Sequence, residues 1–346
     1  MRSASVILIC LLLTAGCVNL GPRALEAGRA DYNQVLRDTA DQQLLANLVR
    51  LRYRDRPYYL EVSAVTTQFS FSPQLGLTGA LGSPQIEQDA LVSGGAGYQE
   101  QPTVSYAPLQ GDEFARRLLT PVSLESLVLL SHSGWSIERL LRICVQRING
   151  IPNAVTASGP TPDQAPAYER FLARALRRLQ VRDEVTIGFR PGDEAGETAV
   201  LFSEAALDTP EYRAVVALLG LEPGKRSYRL AAALRGGGSD LVGIQLRSLN
   251  GMLYYLAHSV RVPGDHLSRG LVNVTRRPDG GAFDWGELTG GLMEIRTSDE
   301  RPDSAAVRVR YRDHWYYIDD ADLDSKSTFS LLAQLIALQA GGGEGL

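Results

Sequence analysis

The sequence predicts an α+β protein, and three observations carry that prediction. Apolar residues recur at helical spacing in several separate stretches, a period of two governs one long run, and short β-rich segments alternate with helical ones toward the C-terminus. The expected order is an N-terminal helix, a long amphipathic β-hairpin, a helical hairpin, and then a mixed α+β C-terminal domain.

Residues 18–30 read as a short tether. Over 31–54 a helical stripe follows, made of Val35, Leu36, Leu44, Leu45, Leu48, Val49 and Leu51, and Pro57 stops it. From 65 to 81 the period changes. Odd positions carry Val65, Thr67, Phe69, Phe71, Pro73, Leu75, Leu77, Gly79 and Leu81, while the even ones, such as Thr66, Gln68, Ser70 and Ser72, are small or polar. A weaker alternation through Val92, Gly94, Ala96 and Tyr98 to Val104 and Tyr106 answers it across the turn signal Gly82-Ser83-Pro84-Gln85. Together they predict a hairpin over roughly 60–108.

Ser123 opens a helix to about His132, and Gly134 breaks it. Ser136 caps the next, with Trp135 and Leu140 as a hydrophobic staple, and Asn149-Gly150 closes it. Residues 152–166, rich in Pro, Ala, Ser and Thr, read as a linker. A third helix sets Tyr168, Phe171, Leu172, Ala175, Leu176 and Leu179 on one face. Strands are expected at 184–189, 198–203 and 226–234, then a helix at 241–258. Further strands are expected at 292–297, 305–312 and 315–318, the last two joined by a tight turn at Asp313-His314. Asp324 or Ser325 caps a final helix with Phe329, Leu332, Leu335, Ile336 and Leu338.

With 346 residues, 44% of them hydrophobic and 21% charged, the chain is globular rather than disordered. A net charge of -4 gives no basic surface, so nucleic acid is excluded as a partner. Lys225 and Lys326 are the only lysines, a bias that carries little function.

The first seventeen residues hold Arg2, an apolar run from Val6 to Leu13, and then Thr14-Ala15-Gly16-Cys17, the pattern of a cleaved export signal. The run 6–15 is about half the roughly 20 residues a spanning helix needs. Leu13-Thr-Ala-Gly-Cys17 resembles the lipobox of bacterial outer-membrane lipoproteins. The resemblance implies removal of a signal peptide at 1–16 and transfer of a diacylglyceryl group to Cys17. Acylation of its new amino group follows, with palmitate-type chains. Two or more chains anchor a protein stably. Val18, where an Asp would retain the protein at the inner membrane, implies delivery to the outer membrane, facing the periplasm. The expected partners are the membrane, through lipidated Cys17, and other envelope proteins or further copies of this chain.

Leu51-Arg-Tyr-Arg-Asp55, Ser133-Gly-Trp-Ser136, and Tyr317-Ile-Asp-Asp320 through Ser325-Lys-Ser-Thr-Phe329 are similar to phrases of an uncharacterised group of such lipoproteins. That resemblance implies no activity and no site beyond Cys17. The domain organisation then reads as anchor, tether and helix at 17–56, β-hairpin plus helical hairpin at 57–151, linker at 152–166, and α+β domain at 167–346.

Cys10 leaves with the signal and Cys17 takes lipid, so Cys144 remains alone and no internal disulfide forms. Among Leu140, Leu141, Ile143 and Val145 it reads as a buried, inert thiol. Gly220-Leu-Glu-Pro-Gly224-Lys225-Arg226 lacks both the spacing and the hydroxyl of a phosphate loop, and reads as a helix C-cap followed by a turn. Asp320, Asp322 and Asp324 have the one-three-five spacing of a calcium loop without its glycine or its bidentate Glu. They are weak metal candidates, and read better as an acidic helix start.

His132, His258, His266 and His314 show no metal-ligand spacing, and no catalytic motif is present; neither catalytic nor cofactor-binding residues are expected. Arg52-Tyr53-Arg54-Asp55-x-x-Tyr58-Tyr59 recurs as Arg310-Tyr311-Arg312-Asp313-x-x-Tyr316-Tyr317, through coincidence or through reuse of an Arg/Tyr stacking surface.

Two functions follow. One is a lipid-anchored, non-catalytic scaffold or assembly protein of the cell envelope. Its sharper form is an oligomer in which each copy donates a membrane-inserting hairpin; in the plainer form that hairpin lies on the helices. The alternative is a periplasmic hydrolase acting on envelope polymers, which requires a cleft where one of the histidines sits beside acids.

Overall fold

Caps and turns place most of the elements. The computed structural model describes residues 20–78, 91–108, 112–154, 168–190, 197–233 and 238–341. The class is α+β: among the described residues there are ten helices, a six-stranded mixed sheet, a three-stranded sheet and a two-stranded ribbon. The chain divides into two compact units, 1–58 with 111–346 (the body) and 59–110 (the ribbon).

Helix α1 (Leu20–Arg52) begins within the stretch expected to be a tether, and buries Leu44, Leu45, Leu48, Val49 and Leu51 in the body. Val35 of the same predicted stripe stays exposed, so only the C-terminal half of the pattern packs. Beyond the helix, Asn47 and the backbone of Tyr58 exchange two hydrogen bonds of 2.8 Å each, which pins the chain leaving the turn.

In the body, α2 (Asp112–Leu119) leads to α3 (Leu124–His132), whose N-cap Ser123 accepts from the amide of Ser126. Ser136 caps α4 (Ile137–Cys144) through the amide of Arg139. Both caps are those expected. The second helix is shorter than predicted: it stops at Cys144, and Val145–Ile148 forms strand β3. Asn149 (φ 45°) and Gly150 (φ 83°) then make a two-residue turn into β4 (Ile151–Pro152). Positive φ at both central residues is the demand of a type I′ hairpin turn, and Asn-Gly meets it. The chemistry read as a helix stop is therefore a hairpin.

The predicted linker at 152–166 begins inside the fold. Pro152 lies in β4, Asn153 and Ala154 are buried, and the remainder of that stretch lies outside the described residues. β3 and β4 complete the sheet formed by β5 (Val185–Arg190), β6 (Glu197–Phe202), β7 (Ser227–Ala232) and β8 (Leu241–Leu246), in the order β4-β3-β8-β7-β6-β5. The helical hairpin and the C-terminal segment thus contribute strands to one sheet and lie in one compact unit. Among the described strands of this sheet, β7 and β8 are the pair that runs parallel.

The helix expected over 241–258 is a strand and a helix. β8 ends at Leu246, and Ser248 caps α7 (Leu249–Ala257). A short, mostly buried and apolar strand shows little alternation, so its pattern runs into that of the helix behind it. The predicted third helix opens as a π turn (Tyr168–Ala173) and becomes α5 (Arg174–Val181); Phe171, expected on the buried face, is exposed. Helix α6 (Pro210–Leu219) ends on Gly220 in the left-handed region (φ 65°), the C-cap read from the sequence. Leu127, Leu141 and Val215 from the helices meet Ile187, Tyr228 and Ile244 from the sheet. Each such side chain, fully buried, contributes about 1.5–3 kcal/mol.

Arg247 crosses the base of this core, fully buried. Its guanidinium donates to the carbonyls of Arg142 and Ile143 (2.9 Å each) at the C-terminus of α4, and to those of Asn153 and Ala154. It stacks over Tyr255 at 4.4 Å. Carbonyl oxygens and the negative end of a helix dipole thereby hold a cation in the interior.

After the short helices α8 (Gly264–Ser268) and α9 (Gly286–Thr289), β9 (Arg296–Ser298), β10 (Ala305–Tyr311) and β11 (His314–Asp319) form the second sheet in the order β10-β11-β9. The strand expected at 292–297 is reduced to β9. Arg312 and Asp313, both at positive φ, make the tight turn one residue earlier than predicted. α10 (Leu323–Gly341) completes the body.

The ribbon pairs β1 (Leu60–Thr78) with β2 (Leu91–Pro108) along their whole length, broken by one register shift between Val62 and Ala64. Val65 faces Val104, Phe71 faces Tyr98 and Leu77 faces Val92. The intervening pairs are Thr66 with Thr103, Gln68 with Gln101 and Ser70 with Gln99. Opposed residues share a face, so the two sequence alternations are in phase.

Candidate functional site

Cys17 lies outside the described residues. Asp320, Asp322 and Asp324 lie at the start of α10 and have separate partners. The Asp320 carboxylate takes Lys326 Nζ at 2.7 Å, and Asp322 accepts from the amide (3.1 Å) and hydroxyl (2.6 Å) of Ser325. Asp324 pairs with Arg139 at 2.7 Å. Three carboxylates drawn in three directions form a helix start rather than a ligand set. Cys144 is fully buried, and burial pushes its thiol up to about 12, far from any reactive range.

His132 sends Nε2 to the carbonyl of Ile187 at 2.8 Å, a bond between α3 and the sheet. His258 stacks on Trp285 (3.6 Å between centroids, planes 6° apart) in the wall of a cleft of about 670 Å³. Its Nδ1 has no hydrogen-bond partner among the described residues. Burial, and then the charges of Arg52 and Arg54, lower its pKa to about 3, so it is neutral at pH 7. Of the four acids lining the same cleft, Glu294 pairs with Arg261 at 2.8 Å, Asp324 pairs with Arg139 at 2.7 Å, Asp322 caps its helix, and Asp284 accepts from the amide of Gly286 at 2.8 Å.

The remaining two histidines meet where the end of α1 packs on the second sheet. Tyr53, buried in the turn after α1, places its hydroxyl 2.6 Å from that of Tyr316 and 2.6 Å from His266 Nδ1. Arg312 lies over the Tyr53 ring at 4.9 Å and over Tyr311 at 5.7 Å. Asp55 accepts from the Tyr311 hydroxyl and from Arg312 Nη2, the latter at 2.8 Å. The two Arg-Tyr-Arg-Asp phrases therefore face each other, and the stacking surface is the reading their contacts match. Burial pushes Asp55 upward, but hydrogen bonds from Tyr311 and Arg312, with the charges of Arg312 and Arg50, outweigh it and hold the carboxyl below its ordinary value.

On the far side of Tyr53, His266 of α8 and His314, the first residue of β11, stand edge to face with centroids 4.8 Å apart. Asp265 lies between them, one carboxylate oxygen 3.7 Å from His266 Nε2 and the other 3.8 Å from His314 Nε2. His314 Nδ1 lies 2.7 Å from Asp299, just past β9. His266 is buried and its imidazole is held below its ordinary value, mainly by burial and against the pull of Asp265. Among the described residues, Asp265, His266 and His314 are the group whose ligand atoms converge, all within 4.8 Å of one another. Sequence spacing missed them because they come from separate elements joined only by the fold. The local signal was slight: a His beside an Asp in 265–266, and a His directly after a tight turn.

No family model, curated protein or solved structure matches this chain.

Proposed function

We propose that this chain is a lipid-anchored protein of the bacterial outer membrane, facing the periplasm, with a non-catalytic scaffold or assembly role. In the sharper form several copies associate through the β1–β2 ribbon, which enters the bilayer. The anchor rests on Leu13-Thr-Ala-Gly-Cys17. The observation that carries the assembly role is the phase match of the ribbon. Its 19-residue and 18-residue strands align apolar with apolar at Val65–Val104, Phe71–Tyr98 and Leu77–Val92, and polar with polar at Thr66–Thr103, Gln68–Gln101 and Ser70–Gln99, while Phe69 stands opposite Glu100.

A membrane-spanning strand needs about 9–11 residues, so either strand is long enough with residues to spare. Among the described residues β1 and β2 pair only with each other. An unpaired edge is not tolerated in lipid, so entry into the bilayer requires ribbons from several copies to close a barrel. The hydrolase alternative has less support, since the acids of the cleft beside His258 are engaged and the two histidines that do sit beside acids, His266 and His314, do not line that cleft.

The test is palmitate labelling and native mass measurement of the detergent-extracted protein, as wild type, Cys17→Ala, and Phe71→Asp with Leu75→Asp. Lipid is expected on the wild type only, with an oligomer that the ribbon substitutions disperse. A strict monomer released from membranes by removing the acyl chains alone ends the pore form; an unlabelled wild type ends the anchor.

A further inference from the structure

We propose that Asp265, His266 and His314 bind one divalent transition-metal ion of the zinc class. This holds whether or not Cys17 carries lipid. Two imidazole nitrogens and a carboxylate form a borderline donor set that selects zinc-like ions, whereas magnesium and calcium demand oxygen.

The histidines are oriented as ligands. In each ring Nδ1 is occupied: that of His266 lies 2.6 Å from the Tyr53 hydroxyl, and that of His314 lies 2.7 Å from Asp299. Both Nε2 atoms are thus turned toward the same carboxylate, yet they stop 3.7 and 3.8 Å from it, beyond hydrogen-bond range. A hydrogen-bonded His–Asp pair would close to about 2.7–2.9 Å. Donor atoms on one tetrahedral zinc, each about 2.0–2.1 Å from the ion, lie about 3.4 Å apart; here the two nitrogens approach different oxygens of Asp265, and the three ligand atoms lie within 4.8 Å of one another, so binding requires them to draw in.

Zinc-bound histidine almost always donates its second N–H to a carboxylate, carbonyl or similar acceptor, which fixes the tautomer. Asp299 supplies that acceptor for His314, and Tyr53, itself bonded to Tyr316, supplies it for His266. His266 is held by burial, while Asp265, with 55% of its side chain exposed and its Oδ2 3.9 Å from Arg269 Nη1, would have to turn to shorten the remaining gaps. Three protein ligands leave a fourth position for water. The ion would tie together α8, the start of β11 and the turn after α1.

The test uses the full chain in detergent, purified without a polyhistidine tag and stripped with chelator. Zinc is titrated by calorimetry, and cobalt is followed by its visible absorption. One ion per chain is expected, with affinity unaffected by millimolar magnesium or calcium and a melting temperature that rises with zinc and falls on chelation. His314→Gln and Asp265→Asn, both at partly exposed positions, should each weaken binding at least 100-fold. Asp299→Asn, which removes only the acceptor behind His314, should weaken it about 10-fold. Absence of saturable zinc binding by the folded wild type overturns the proposal. So does binding that survives His314→Gln and Asp265→Asn unchanged, which would place the ion elsewhere.

Discussion

The ribbon and the body treat backbone polar groups in opposite ways. In the body, even a buried guanidinium is matched, since Arg247 meets carbonyls from α4 and from the end of β4. In the ribbon, among the described residues, each strand has one neighbour. Two strands alone are marginal in water, and open edges invite further pairing. The contrast teaches that the body specifies itself through interior contacts, whereas a two-stranded ribbon has little interior of its own to specify it.

Four experiments act on that contrast. Arg247→Met strips four buried carbonyls of their donor and should cost the body about 3–5 kcal/mol in urea unfolding; a loss below about 1 kcal/mol would show that water replaces the guanidinium. Acid comes next. His258 is held neutral with a pKa near 3, so the unfolded chain takes up its proton first, and stability should be intact above about pH 6.5 and fall progressively toward pH 3. Unfolding free energies at several pH values should show that slope, and His258→Gln should flatten it. Asp55, with its lowered value, adds its loss only at more acidic pH.

Tyr53→Phe removes the hydroxyl shared by His266 and Tyr316 and should cost about 1–3 kcal/mol, with Arg312 keeping its place over the ring. The smallest effect on the body belongs to Phe71→Asp with Leu75→Asp. Those ribbon changes should move body unfolding by less than about 0.5 kcal/mol while dispersing the oligomer. A large shift would mean that the two units are energetically linked.

Much of the body was legible wherever its chemistry is local. Ser123 and Ser136 announce their helices because a cap is a contact within three residues. Gly220 announces a helix end because only a permissive backbone turns left-handed there without strain. The two alternations of β1 and β2 give which residues share a face, while the pairing of particular residues comes from the structure. Less was legible where one run serves two elements: Val145–Ile148 and Leu241–Leu246 are short, largely apolar strands abutting helices, and runs that short do not show the period that would separate them. The meeting of His266 and His314 was illegible for a different reason. A five-residue helix and a strand start bring them together, and no pattern near either histidine encodes the other.

Cys144 has one practical consequence. A thiol that is fully buried and ionises only near 12 does not compete for maleimide or spin-label reagents at neutral pH. If Cys17 carries lipid as proposed, a cysteine introduced at Thr103, an exposed ribbon position, would be the reactive label site against a silent Cys144. Pulsed spin-echo distances between labelled copies could then count ribbons and measure the diameter of any ring they form.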